Sequence, residues 1–305
     1  MPLAGIQQEA YCEEAEIIMD RRILRNDFLQ VEYLADSPRI LGITPTGKTN
    51  MLADLRDLPA IPTPYGDFHF RGGHRLWHSP EAMPRTYIPD NDGGTASELP
   101  DGVRIEMPAE PWTNIAKAIE IRLNPDRPQV TVRHELRNDG PWAVEFSPWA
   151  LTMFRLGGVG IFPQPQGNVD EAGLLANRQL SLWPYTRLDD PRLILRNDFC
   201  LLYATASLPP VKFGYFNPHG WMAYWIDGVL FVKRYDASAN VRYPDNGCNT
   251  ESYCNAKFIE LESLGPLDVA APGQTMVHIE LWEIYENLEV PFISDEIREL
   301  IGKIS

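Results

Sequence analysis

Three short segments of the 305-residue chain concentrate side chains that can hold a polar ring and move protons. The first is Arg71-Gly72-Gly73-His74-Arg75-Leu76-Trp77-His78-Ser79-Pro80-Glu81. Its two glycines let the backbone turn sharply or come close to a ligand. An imidazole, a guanidinium and an indole follow at once. The Arg75 fork can take two sugar oxygens, and the Trp77 face can stack on the C–H face of a pyranose. The second segment runs from Tyr243 to Tyr253. After a Pro-Asp-Asn-Gly turn signal, Asn249, Glu251 and Tyr253 alternate, and in a strand all three would project from one face. An amide, a carboxylate and a phenol are costly to bury there without a ligand, water or one another. The third is Phe258 to Leu267, where Glu260 and Glu262 share a strand face opposite Ile259 and Leu261. Their Cα atoms would stand about 6.5–7 Å apart. Carboxyls that close oppose each other's ionisation, so one can act as a general acid or base.

Each segment also has a purely structural reading. The first can be a glycine turn with a buried Trp and a core salt bridge, the second a turn, and the third a solvated strand face. Among the six histidines, His74 has the best chemical context. His134 falls on the apolar side of its strand, as a satisfied core residue would, and His278 alternates with Met276 and Glu280.

These side chains must be positioned by strands. Ile119, Ile121 and Leu123 alternate with Glu120 and Arg122, and Val130 to Leu136 alternate with polar residues across the turn residues 124–128. The two runs read as adjacent antiparallel strands. Val229–Tyr235, Phe258–Leu264 and Met276–Trp282 read as three more, with Asp227-Gly228 as a tight hairpin turn. Prolines, 27 in all, are spread along the whole chain, which suits short strands joined by turns. The one clear helix signal is Ser294-Asp295-Glu296 followed by an apolar stripe, giving a short C-terminal helix over about 294–304. The fold class expected is all-β, an antiparallel sandwich or barrel forming one domain over 1–305.

A net charge of −15 argues against nucleic acid as a partner, since the long-range field would repel a phosphate backbone. A neutral sugar would feel little of it. The N-terminus carries no basic start and apolar run, and no stretch has the roughly 18 apolar residues of a membrane helix, so a cytoplasmic protein is expected. Cys12, Cys200, Cys248 and Cys254 form no CxxC pair. Cys248 and Cys254 could meet across a loop, but reduced thiols are the expectation. No ligand spacing argues for a metal, and P-loop, GxGxxG, HExxH and GxSxG patterns are absent.

In order along the chain come Ala35-Asp36-Ser37-Pro38-Arg39-Ile40-Leu41-Gly42, Asn50-Met51-Leu52, Gly-Gly-His-Arg-Leu-Trp at 72–77 and Ser147-Pro148-Trp149-Ala150-Leu151-Thr152. Tyr-Pro-Asp at 243–245, Glu-Leu-Glu-Ser-Leu-Gly-Pro-Leu at 260–267, Pro272-Gly273 and His278-Ile279-Glu280-Leu281-Trp282 follow. This ordered set resembles the galactose mutarotase-like superfamily, in a bacterial branch. The resemblance implies a β-supersandwich of two large antiparallel sheets with a sugar site on a concave sheet surface. It implies Glu262 as the base that takes the anomeric hydroxyl proton, Arg75 as the early substrate-binding Arg, and Glu251 where the family often has a sugar-contacting Gln. The family's mid-chain His-x-Tyr-Phe-Asn-like segment carries the acid for the ring oxygen. Here Ser-Pro-Trp-Ala-Leu-Thr stands in its place, leaving His74 as the candidate acid.

The expectation is therefore a carbohydrate-binding protein, with aldose 1-epimerase chemistry as its enzymatic form and a small-molecule sugar or glycan as partner. Glu262, His74 and Glu251 are the catalytic candidates; Arg75, Trp77, Trp149, Asn249, Tyr253 and Glu260 are the holders, and no cofactor is needed. The residues leave open whether catalysis occurs. A glycan hydrolase or lyase using paired carboxylates, such as Glu251 with Glu262, and a non-catalytic sugar-binding module are the alternatives.

Overall fold

The structure, a computed structural model, describes residues 19–206, 209–286, 288 and 299. The alternating runs pair as their patterns require. Ile115–Leu123 lies antiparallel to Gln129–Asn138, with Ile121 opposite Val132. Trp221–Ile226 turns into Val229–Tyr235 through Asp227 and Gly228, both at positive φ (50° and 78°), as a type I′ hairpin demands. Thr275–Glu286 then bridges Val229–Tyr235 and Gln129–Asn138.

Two ten-stranded antiparallel sheets result. One runs in the order Arg21–Arg25, Leu29–Leu34, Arg39–Pro45, His74–Ser79, Val144–Arg155, Phe258–Leu264, Thr250–Cys254, Val211–Tyr215 and Ser181–Leu182, with Asp268–Ala270 paired beside Val144–Arg155. The other runs Leu193–Leu195, Phe199–Tyr203, Val159–Pro163, Trp221–Ile226, Val229–Tyr235, Thr275–Glu286, Gln129–Asn138, Ile115–Leu123, Gly102–Glu106 and Thr95–Leu99. The expected all-β sandwich of two large antiparallel sheets is the observed fold. The expected helix over 294–304 lies, apart from Glu299, outside the described residues.

The sheets share one apolar core. Ile119, Ile121, Val130 and Val132 from the second sheet meet Leu76, Phe154, Ile259 and Leu261 from the first. Each fully buried side chain of this size contributes about 1.5–3 kcal/mol. The first sheet is also covered on its outer face, where Trp77, Trp149, Leu151 and Leu264 pack beneath Phe68, Phe70 and Tyr87. Its central strand Phe258–Leu264 is buried along both faces. Cys200, Cys248 and Cys254 are buried free thiols, so the pairing of Cys248 with Cys254 does not occur. No helix among the described residues is long and apolar enough to cross a membrane.

Candidate functional site

The period of two in the first sheet decides which side chains meet. Reading across five neighbouring strands, Arg75 lies opposite Leu151, Leu151 opposite Glu262, Glu262 opposite Glu251, and Glu251 opposite Gly214. The next row aligns Met153, Glu260, Tyr253 and Lys212, and on the other side Trp77 faces Trp149. Residues paired in this way point to the same side of a sheet. Arg75, Trp77, Trp149, Glu251, Tyr253, Glu260 and Glu262 therefore share the outer face, together with Lys212.

Lys212 is the hub. Its Nζ stands 2.9 Å from Glu251 Oε2 and 2.9 Å from Glu262 Oε2. The indoles of Trp149 and Trp183 flank it at 4.7 and 4.6 Å. Trp149 Nε1 donates to Glu262 Oε2 at 2.9 Å. Alongside, Arg75 Nη2 meets Glu260 Oε1 at 3.2 Å, and its guanidinium lies over Trp77 at 4.0 Å. Burial lowers the Arg75 pKa to about 10, against the pull of Glu260. Burial and then the neighbouring Glu262 raise Glu260 to about 8, with Arg75 opposing.

Several buried polar atoms in this group have no partner among the described residues: Oε1 of Glu251, Oε1 of Glu262, Nε and Nη1 of Arg75, and Nε1 of Trp77. Buried polar atoms are almost always partnered, and each orphan costs about 1–3 kcal/mol. A concentration of them on one sheet face can be met by a ligand or by water. The rim is aromatic and acidic. Tyr87 donates to Glu81 at 2.5 Å, and Tyr185, 42% exposed, meets Tyr253 edge-on at 6.2 Å.

Two expected members lie elsewhere. His74 precedes Arg75 in an extended strand and so points the opposite way, into the space between the sheets. Thr152 Oγ1 sits 2.8 Å from its Nδ1 and His134 Nε2 lies 2.7 Å from its Nε2. His134 Nδ1 donates to the His278 carbonyl at 3.0 Å, which leaves its Nε2 bare and makes His74 Nε2 the donor between the rings. A fully buried imidazole on the far side of the sheet cannot act on a ligand at the outer face, so His74 is no candidate acid. Asn249 precedes the strand Thr250–Cys254. Its side chain accepts from Asn217 N at 2.7 Å and donates to Asn217 O at 3.0 Å, holding a loop rather than facing the site.

His74, His134 and Glu280 bring three metal-ligating atoms within 4.8 Å of one another. Each is already engaged: Glu280 accepts from Ser263 at 2.5 Å and from Trp282 at 2.7 Å, and Lys233 Nζ lies 2.8 Å away. The ammonium opposes a second cation, and the group reads as a satisfied polar core. It has a consequence for stability. Burial first, and Lys233 in addition, lower the pKa of His74, His134 and His278, against the attraction of Glu280; His278 falls to about 3. Unfolded histidines titrate near 6.5, so below that pH the unfolded chain binds more protons than the folded one. Stability is therefore complete above about pH 6.5 and is lost on the acid side, each buried histidine adding a slope of about 1.4 kcal/mol per pH unit. The urea midpoint should fall steeply between about pH 6.5 and about pH 5; a flat profile would show that these rings protonate in place.

Lys212 and Trp183 escaped the sequence reading. The signal is the run Val211-Lys212-Phe213-Gly214-Tyr215, in which a lysine and a glycine share one face of an apolar strand. Gly214 is there for space: a Cβ would stand 2.8 Å from Glu251 Cγ and 2.9 Å from Cys248 Sγ. Gly214→Ala should push Glu251 out of line and cost about 1–3 kcal/mol by overpacking. Thermal melting compared with Gly160→Ala, whose nearest obstruction is the Phe162 ring, checks this; an unchanged melt for Gly214→Ala would mean that Glu251 is free to move.

The two facing ten-stranded antiparallel sheets form a β-sandwich of the galactose mutarotase-like fold. A putative aldose 1-epimerase from Escherichia coli K12 shares this fold at 12% identity over 88% of this chain and 99% of that one, with a TM-score of 0.58. A putative mutarotase from Salmonella typhimurium matches 90% of this chain and 96% of its own at 11% identity, TM-score 0.58. A galactose mutarotase-like protein from Lactobacillus casei matches 87% and 100% at 10% identity, TM-score 0.54. No protein-family model and no curated protein matches the sequence.

Proposed function

We propose that the outer face of the first sheet binds an aldose in its pyranose form and interconverts its anomers, with Glu262 as proton acceptor. The observation that carries this is the set of unpartnered buried atoms on Glu251, Glu262, Arg75 and Trp77, placed among the indoles of Trp77, Trp149 and Trp183. A pyranose offers what that set lacks: hydroxyls that both donate and accept, and C–H faces for aromatic rings. Glu262 Oε2 is engaged by Trp149 and Lys212, leaving Oε1 to receive the anomeric O–H proton. As that bond breaks, the carbonyl forms at the anomeric carbon, the bond to the ring oxygen opens, and the ring oxygen takes a proton. Rotation and reclosure on the other face give the second anomer. General acid–base catalysis of this kind contributes about 10²–10⁴-fold. The fold shared with putative aldose 1-epimerases supports the same reading.

Hydrolysis by Glu251 and Glu262 is less well supported. Glycoside hydrolysis needs its two carboxyls on either side of the scissile bond, whereas these two project from adjacent strands of one sheet face and meet the same ammonium. Ligand-observed saturation-transfer NMR over a panel of neutral aldoses tests the binding. At least one aldose should receive saturation at its ring C–H protons. Its affinity should drop roughly 2- to 10-fold in Trp183→Ala, the range for one aromatic contact. No transfer to any aldose would remove the sugar reading.

A further inference from the structure

We propose that Glu251 supplies the proton to the ring oxygen, with Lys212 as the fixed positive charge between it and Glu262. This rests on the sugar reading above. Two carboxyls and one ammonium share a face where Glu251 and Glu262 have no exposure and Lys212 has 4%. With both carboxyls ionised the trio would bury a net negative charge, which is costly. The economical state has one carboxyl keeping its proton. Hydrogen bonding says which. Glu262 is held by two donors, Trp149 and Lys212, whereas among the described residues Lys212 alone reaches the Glu251 carboxyl, at 2.9 Å from Oε2.

The surroundings agree. Burial holds the Glu251 carboxyl well above the usual range, with Glu262 and Asp245 adding to it and Lys212 opposing. Cys248, the other titratable neighbour, is pushed up to about 12, chiefly by burial, and stays a neutral thiol. Lys212 is disfavoured by burial, but its two carboxyl partners outweigh this and hold it above its ordinary range. It therefore remains a cation and is a poor donor. His74 lies across the sheet. Glu260, raised to about 8, also keeps a proton at neutral pH, but it faces Arg75 at 3.2 Å; Glu251 combines a proton to give with a place directly opposite Glu262.

The geometry suits the reaction. The ring oxygen and the anomeric hydroxyl oxygen are bonded to one carbon, so donor and acceptor must be neighbours rather than stand on opposite sides of a bond. Glu251 and Glu262 are directly opposite each other on adjacent strands, and each lies 2.9 Å from the same nitrogen. On opening, Glu251 gives its proton to the ring oxygen and Glu262 gains the anomeric one. On reclosure the hydroxyl formed at opening returns its proton to Glu251, and the carbonyl oxygen recovers the other from Glu262. The cycle closes with no outside reactant.

The test pairs Glu251→Gln with wild type in two measurements. Infrared difference spectra at neutral pH should show the carbonyl stretch of protonated carboxyls in wild type, with the share of Glu251 lost in Glu251→Gln and that of Glu260, raised to about 8, retained. Exchange NMR on a bound aldose should show interconversion slowed roughly 10²-fold or more, with affinity within about threefold. Glu251→Asp, which keeps the acid, should restore part of the rate. A protonated-carboxyl signal undiminished in Glu251→Gln, or an undiminished rate, overturns the donor assignment while leaving the sugar reading intact. Wild type that binds sugars but interconverts none overturns the donor role together with the catalytic reading. The wild-type infrared titration stands even if a variant does not fold, and absence of the signal at neutral pH contradicts the assignment by itself.

Discussion

Lys233→Met should destabilise the protein by about 3–5 kcal/mol, because it strands a carboxylate in the core. Lys233 reaches between the sheets with no exposure. Its Nζ meets Glu280 Oε1 at 2.8 Å and the carbonyls of Leu261 at 3.0 Å and Ala150 at 3.4 Å. Methionine fills similar volume but leaves Glu280 with only the Ser263 and Trp282 donors. The Lys233 charge is the largest single attraction that keeps the buried Glu280 ionised, with its pKa far below the usual range despite the cost of burial. Adding Glu280→Gln removes the stranded charge, so the double variant should recover a large part of the loss. Urea unfolding reads this as a lower midpoint at unchanged slope for the single variant and a partial return for the double. A loss under about 1 kcal/mol in Lys233→Met would mean that the pair is not insulated from water.

Glu262→Gln should lower anomer interconversion by about 10²–10⁴-fold while leaving the sugar bound. The amide keeps the shape of the carboxyl and can still accept from Trp149 through its oxygen. It cannot take up the anomeric proton. Its effect on stability should be small, because once the Glu262 charge is gone Glu251 can release its proton and serve as the carboxylate partner of Lys212. The comparison to make is of rate against affinity in the same NMR samples. A parallel fall in both would make Glu262 a binding residue, and an unchanged rate would move the base elsewhere on the face.

The fold was legible because half-buried strands write their period into the sequence. Gln129–Asn138 alternates residue by residue, and Asp227-Gly228 has few backbone options other than a hairpin. The outer-face cluster was partly legible for the same reason: Glu260 with Glu262, and Glu251 with Tyr253, each stand two residues apart. The same rule rules out His74 beside Arg75, since adjacent strand residues face opposite sides; reading Gly72-Gly73 only as a loop hid that the strand begins at His74. Asn249 failed by one residue, lying just before its strand rather than in it. Lys212 was invisible because its partners Glu251 and Glu262 lie 39 and 50 positions further along, and only the strand order brings them together.

The central claim is that this outer face handles the anomeric centre of a sugar, and one measurement addresses it most directly. Freshly dissolved single anomers of a panel of aldoses are followed by NMR with and without wild-type protein. The account predicts that at least one approaches its α/β equilibrium faster with the protein, and that the acceleration disappears in Glu262→Gln. Equal rates with and without protein for every aldose would contradict it.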